Sequence, residues 1–140
     1  MPISHRHIAR IAALQTLFEL EFAANSPGAI LERTIETKAL TGEAAAFAGE
    51  LVNGVLAQKQ LLDENISRFA PAFPVDQLSS MDRSILRLAL FEILLSKNAP
   101  PKVVVNEAVE LAKEFGADTS PKFVNGVLGS VLSDTGKTTQ

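Results

Sequence analysis

SSMDRSILRLALFEILL, residues 79–95, decides the fold, because it joins a helix start to a helix that is apolar on most sides. The first four residues form a capping-box pattern. In this pattern a serine oxygen accepts a hydrogen bond from a free backbone N–H, and the Asp82 side chain accepts one from the backbone N–H of that serine. Two apolar stripes follow at helical spacing. They are Met81, Ile85, Leu88 and Leu95, and Leu86, Leu90 and Ile93. A helix apolar on most sides belongs at the centre of a core, so the pattern predicts a central helix that ends near Leu95.

Proline, glycine and serine residues mark the helices that follow. Asn98-Ala99-Pro100 ends the central helix, because the residue before a proline avoids the helical region. Pro101 suits the first turn of the next helix, and Gly116 suits its C-terminal end. Ser120 and Pro121 then repeat a cap-then-proline start, which predicts a last helix.

Helical spacing also dominates the N-terminal part of the chain, where no clean alternating strand pattern occurs. Ser4 is expected to cap a first helix that runs to about Ala24, with Phe18 and Phe22 on its apolar stripe. Two further helices are predicted over about 29–40 and 43–69.

The two halves of the chain resemble each other. VNGVL occurs at 52–56 and again at 124–128, an offset of 72, and Leu-Phe-Glu occurs at 17–19 and again at 90–92, an offset of 73. Chance similarity between apolar helices is the alternative explanation. We predict an all-α protein of two related helical subdomains, 1–70 and 71–140, with about three main helices each, packed as one compact unit.

The composition excludes several classes of function. The chain has 140 residues and no Cys, which rules out disulfide scaffolds, thiol nucleophiles and zinc ribbons. No serine–histidine–acid arrangement stands out, and His5 and His7 lack further metal ligands, so we expect no enzyme, metal or cofactor. No apolar run approaches the ~18 residues of a membrane span, and no secretory signal is recognisable. A cytoplasmic protein is expected.

Two basic or aromatic clusters are candidates for ligand binding despite a net charge of −3. Arg6 and Arg10 share one face of the first helix, and no acid lies within eight residues of either. Phe115 and Phe123 bracket a short loop beside Lys122, where rings can stack unpaired bases while the charge holds phosphate. Core packing is the alternative for both phenylalanines.

Four stretches of the chain resemble one family in the same order. They are PPKVVVNEAVELAKEFGADTSPKFVNGVL at 100–128, MDRSILRLALFEIL at 81–94, ARIAALQTLFE at 9–19 and LVNGVL at 51–56. These four stretches resemble the NusB family of bacterial transcription antitermination factors. The resemblance implies an all-helical protein that pairs with the ribosomal protein NusE. Such a pair binds boxA, a single-stranded element of nascent ribosomal RNA, within the RNA polymerase antitermination complex and promotes processive transcription of rRNA operons.

The resemblance also implies the residues of both contacts. The implied RNA contacts are Arg6, His7, Arg10, Phe115, Asp118, Lys122 and Phe123, and the implied partner contacts are Phe18, Asp82 and Arg83. The chain departs from the family pattern in its thinned arginine cluster, in phenylalanine at positions 18 and 91 where tyrosine is usual, and in a pI of about 5.4.

Other functions stay open at this point. One alternative is a protein-binding helical scaffold with weak or lost RNA binding. Another is the accessory NusB-like module of an rRNA cytosine methyltransferase. A homodimer is also possible.

Overall fold

The computed structural model describes residues 4–135, and within that range it contains helices and turns but no strand. The predicted all-α class is confirmed. The chain divides into two compact units between Ala57 and Gln58, whereas the sequence places the division near residue 70. The helix that precedes residue 70 therefore belongs to the second unit.

The first unit contains three helices: α1 (His5–Leu20), α2 (Pro27–Thr37) and α3 (Gly42–Ala57). Ser4 caps α1 as predicted, since its hydroxyl accepts a hydrogen bond from the His7 N–H at 3.0 Å. Ser26 caps α2 in the same way. Gly42 starts α3 with a φ of +53°, in the left-handed region that favours glycine.

The core of the first unit forms where α1 packs against α2 and α3. Its buried apolar side chains include Leu14, Leu17, Ile30, Phe47, Leu51 and Val55. The prediction is wrong for one residue of the apolar stripe of the first helix. Because α1 ends at Leu20, Phe22 lies beyond the helix and is 70% exposed.

The second unit is built around the predicted central helix. Its helices are α4 (Lys59–Phe69), α5 (Ser80–Leu90), α6 (Pro101–Phe115) and α7 (Ser120–Thr135), with a short 3₁₀ turn at Val75–Gln77. Helix α5 packs against α4, α6 and α7, and it buries Ile85, Leu86, Leu88 and Leu90. The prediction of a core helix here is confirmed, but the placement of Leu95 on its apolar stripe is wrong, because Leu95 is 38% exposed.

The single long helix predicted over 43–69 is in fact two helices, α3 and α4. The break lies at Gln58, whose φ of −114° and ψ of 19° depart from helical values. Apolar residues at 47, 51, 55, 62 and 66 are spaced by four or seven, which an unbroken helix also satisfies. The apolar period continues across the break, and no proline or glycine marks it.

The central helix does not stay α-helical to its end. After Leu90 it widens into a π-helical turn at Phe91–Ser96, which the sequence does not predict. The Lys97 N–H donates to the Glu92 carbonyl five residues back, at 2.9 Å, and Lys97 adopts a left-handed φ of +55°. The wider turn buries Phe91, Glu92 and Ile93 in succession.

Arg87 ties α5 to α4 through a two-pronged ion pair. Its Nε and Nη2 donate to the two carboxylate oxygens of Asp63 at 2.7 and 2.9 Å. The Arg87 side chain is only 11% exposed, so solvent screens this pair less than a surface pair.

Truncating the core of α5 should be costly. Leu88→Ala is expected to lower the free energy of unfolding by roughly 2–5 kcal/mol, because it leaves a cavity in a packed interior. Leu61→Ala is the matched control, since Leu61 lies on the neighbouring α4 but is 40% exposed. Urea denaturation measures both. A loss below about 1 kcal/mol for Leu88→Ala would contradict its place in the core.

Candidate functional site

The two N-terminal arginines lie over the ring of Phe47, which α3 supplies. The guanidinium carbon of Arg6 is 4.3 Å from the ring centroid, and that of Arg10 is 5.3 Å from it. Phe47 is itself only 3% exposed. Cation–π attraction and packing therefore orient both side chains, although they come from one helix and the ring from another.

The two arginines differ in what they offer a ligand. The Arg6 side chain is 39% exposed, whereas Arg10 as a residue is 3% exposed. Arg6 also donates to Glu43 at 3.4 Å, a partner 37 residues away that the local sequence could not reveal. Although no acid lies within eight residues of it in the sequence, Arg6 therefore has an acidic partner from α3. Arg6 presents an accessible charge, and Arg10 presents a buried one.

The implied partner residue Phe18 lies on a groove of the first unit. Its ring meets the exposed Phe22 edge-on, with centroids 5.0 Å apart. The groove has a volume of about 500 Å³ and runs past the ion pair between Arg33 and Glu19. The hydrogen bond with Glu19, with that carboxylate's charge, raises the pKa of Arg33. The groove therefore combines two rings with a neutralised cation.

The loop between α6 and α7 is held by its own polar groups. The Ser120 hydroxyl accepts from the Ala117 N–H at 2.9 Å, so it faces back into the loop rather than capping α7 as predicted. Gly116 has an extended backbone, with φ −93° and ψ −172°. What requires glycine is space: a Cβ there would lie 2.7 Å from Ser120 Cβ and 2.8 Å from the Ala112 carbonyl oxygen.

The implied RNA residues of this loop surround it in the structure. Phe115 closes α6 and Phe123 stands in the first turn of α7, both half-buried. Asp118 and Lys122 are exposed. The loop thus carries two rings and two charges of opposite sign.

A third ring packs beside this loop and is not predicted by the sequence motifs. Phe73, from the segment between α4 and α5, meets Phe123 edge-on, with centroids 5.2 Å apart and planes at 74°. The segment reads as a linker because Pro71 and Pro74 bracket it. An aromatic residue between two prolines was the available signal.

The implied partner residues on α5, Asp82 and Arg83, also form hydrogen bonds that shape the start of this helix. Arg83 Nη1 donates to the carbonyls of Val75 and Leu78 at 2.9 and 2.8 Å. The Ser79 hydroxyl accepts from the Asp82 N–H at 3.1 Å, which confirms the first half of the capping box. Asp82 Oδ1 is buried and has no hydrogen-bond partner among residues 4–135. Arg83 therefore fastens the segment that precedes α5.

Neither a membrane span nor a metal cluster is found in the part of the chain that the structure describes. No helix there is long and apolar enough to cross a bilayer. No three His, Cys, Asp or Glu side chains there are grouped to hold a metal ion.

These features define an all-helical protein with a basic surface on its first unit and an aromatic loop on its second. A model of the NusB family matches residues 7–133, so the chain belongs to the NusB family. Transcription antitermination protein NusB from Dehalococcoides mccartyi is 48% identical over 135 residues, which cover 94% of each chain.

Solved structures agree with this assignment. T. maritima NusB has a TM-score of 0.87, 30% sequence identity and coverage of 100% of both chains. A crystal structure of antitermination factors NusB and NusE in complex with dsRNA has a TM-score of 0.84 and 27% identity, over 93% of this chain and 97% of that one.

The close approach at Gly116 generates a stability prediction. Gly116→Ala is expected to destabilise the protein by about 1–3 kcal/mol, because the added methyl group has no room. Gly126→Ala is the control, since nothing lies within 4 Å of a Cβ in that position of α7. Alanine should there stabilise the helix by about 0.5–1 kcal/mol. Thermal unfolding compares the two, and equal effects would refute the steric explanation.

Proposed function

We propose that this chain is an RNA-binding transcription antitermination factor. In this proposal it acts with ribosomal protein NusE, binds boxA of nascent ribosomal RNA and promotes processive transcription of rRNA operons. The observation that carries the proposal is membership of the NusB family across residues 7–133. The solved NusB–NusE complex with dsRNA, which shares the fold, supports NusE and RNA as the two kinds of partner.

We assign the phosphate contact of the first unit to Arg6, with His7 beside it. Arg6 has the accessible guanidinium, and it stands in the first turn of α1, where free N–H groups also attract anions. Arg10 is 3% exposed, so its proposed role in RNA binding is to hold Phe47 and thereby the position of Arg6. RNA must compete with Glu43 for Arg6, which weakens this contact.

We assign the base contact of the second unit to the loop between α6 and α7. Phe123 would stack on an unpaired base, Lys122 would hold its phosphate, and Phe115 would support the loop from the end of α6. Asp118 is exposed on the same loop and can accept hydrogen bonds from a base edge.

We assign the protein partner to Phe18 on its groove and to Asp82 at the start of α5. Arg83 would act there indirectly, since its guanidinium is already bonded to backbone carbonyls. A factor of this kind catalyses no reaction and works in the bacterial cytoplasm, where transcription takes place.

A second candidate function is a helical scaffold that binds NusE but not RNA. The burial of Arg10 and the pairing of Arg6 with Glu43 favour it. The methyltransferase module has less support, because the D. mccartyi relative that matches over 94% of both chains is an antitermination protein.

The salt dependence of RNA binding separates the two candidates. Arg6→Ala should lower the slope of log K against log salt by about 0.7, because one phosphate contact on single-stranded RNA is lost. Glu43→Gln should strengthen binding, since it frees Arg6. Lys59→Ala is the control, because Lys59 is also an exposed cation but lies at the start of α4, outside the proposed RNA and partner contacts. Titrations of a boxA oligonucleotide with saturating NusE give these slopes, and an unchanged slope for Arg6→Ala would favour the scaffold.

The loop contact should respond differently to mutation. Phe123→Ala is expected to weaken RNA binding by about 1–3 kcal/mol with the salt slope nearly unchanged, because stacking involves no ion release. Phe123→Tyr should bind like the unmodified chain, since it keeps the ring. The same titrations measure both variants. A reduced slope in Phe123→Ala would indicate that the loop acts through charge instead of stacking.

A further inference from the structure

We propose that Phe73 is a further RNA-binding residue, which joins Phe123 to form a two-ring surface for one unpaired base. The inference rests on the RNA-binding function proposed above and extends its site to the segment before α5. None of the sequence motifs includes Phe73.

The first observation is the exposure of the ring. Phe73 is 52% exposed, although the second unit buries most of its other large apolar side chains. The exposed ring sits against Phe123 at 5.2 Å and 74°, so the edge of one ring meets the face of the other. Two nearly perpendicular rings form a corner, in which a flat base can stack on one ring and touch the edge of the second.

The second observation is that this corner is held in place. The Phe73 N–H donates to the Ala70 carbonyl at 3.0 Å, and the Gln77 N–H donates to the Pro74 carbonyl at 2.9 Å. Arg83 fastens the carbonyls of Val75 and Leu78 just beyond. A ring on a fixed backbone loses little conformational entropy when a base binds, which favours affinity.

The third observation is electrostatic and identifies the occupant. Lys122 is exposed in the first turn of α7, at the position before Phe123, so the same turn supplies a ring and a cation, a combination that nucleotide-stacking sites use. A second edge-on pair, Phe18 and Phe22, provides a contrast. The cation of its groove, Arg33, is neutralised by Glu19. Rings with an available cation fit a nucleotide better than an apolar peptide.

The test compares RNA affinity across ring variants of the full-length chain. Phe73→Ala and Phe73→Leu should each weaken binding of a single-stranded boxA oligonucleotide by about fivefold or more, with the salt slope unchanged. Phe73→Tyr should bind like the unmodified chain. Val103→Ala removes an exposed apolar side chain in the first turn of α6, at the end of that helix away from the loop, and should leave RNA affinity unchanged. Thermal unfolding of each variant checks that folding is intact.

A double-mutant cycle tests whether the two rings serve one base. The combined Phe73→Ala, Phe123→Ala variant should lose less affinity than the product of the single losses, because both rings contact the same nucleotide. A 2-aminopurine placed at successive positions of the RNA should show one position whose quenching depends on both rings.

Each contrary outcome has a distinct meaning. If Phe123→Ala weakens RNA binding and the Phe73 variants do not, this inference is wrong and the proposed function stands. If the Phe73 variants weaken NusE binding alone, the ring belongs to a protein interface and the inference is again wrong. If the unmodified chain binds no RNA even with NusE, both proposals fail.

Discussion

Burial of α5 is the constraint on which the second unit depends. An isolated helix of this length is marginal in water, so α5 is stable only because α4, α6 and α7 cover its apolar sides. Two arginines of α5 connect that core to the neighbouring segments of the chain. Arg87 holds α4 through Asp63, and Arg83 holds the preceding segment through two carbonyls. The candidate loop and the Phe73 segment therefore take their positions from one buried helix.

In the first unit, a single ring connects the buried core to the candidate basic surface. Phe47 packs into the core of that unit and also lies beneath both N-terminal arginines. The packing of α3 against α1 thus determines where the basic surface points. Glu43, one turn before Phe47 on α3, limits the free charge of that surface. Helix α3 therefore positions Arg6 through Phe47 and reduces the free charge of Arg6 through Glu43.

Local patterns were sufficient to predict most of the fold. The serine caps at 4 and 79, the proline start at 101 and the core of α5 all follow from residues close together in the chain, and the structure confirms them. The break at Gln58 was missed because the apolar period runs through it.

The candidate surfaces were less predictable, because their decisive contacts join distant residues. Glu43 contacts Arg6 although 37 positions separate them, and Phe73 contacts Phe123 although α5 and α6 lie between them in the chain. Burial of Arg10 likewise depends on packing that no local pattern encodes. The sequence predicts which residue types surround the loop between α6 and α7. It does not predict how accessible their side chains are.

The π-helical turn at Phe91–Ser96 has a consequence for how the length of this chain can vary. A wider turn accommodates one more residue than an α-helical turn, and each residue of an α-helix advances the chain by about 100°. Deleting one residue from a regular α-helix would rotate everything after the deletion by that angle. Deleting one residue here would instead convert the wider turn to an α-helical turn, so the entry to α6 at Pro101 would keep nearly the same direction. This segment is therefore a place inside a helical region where the chain can shorten by one residue.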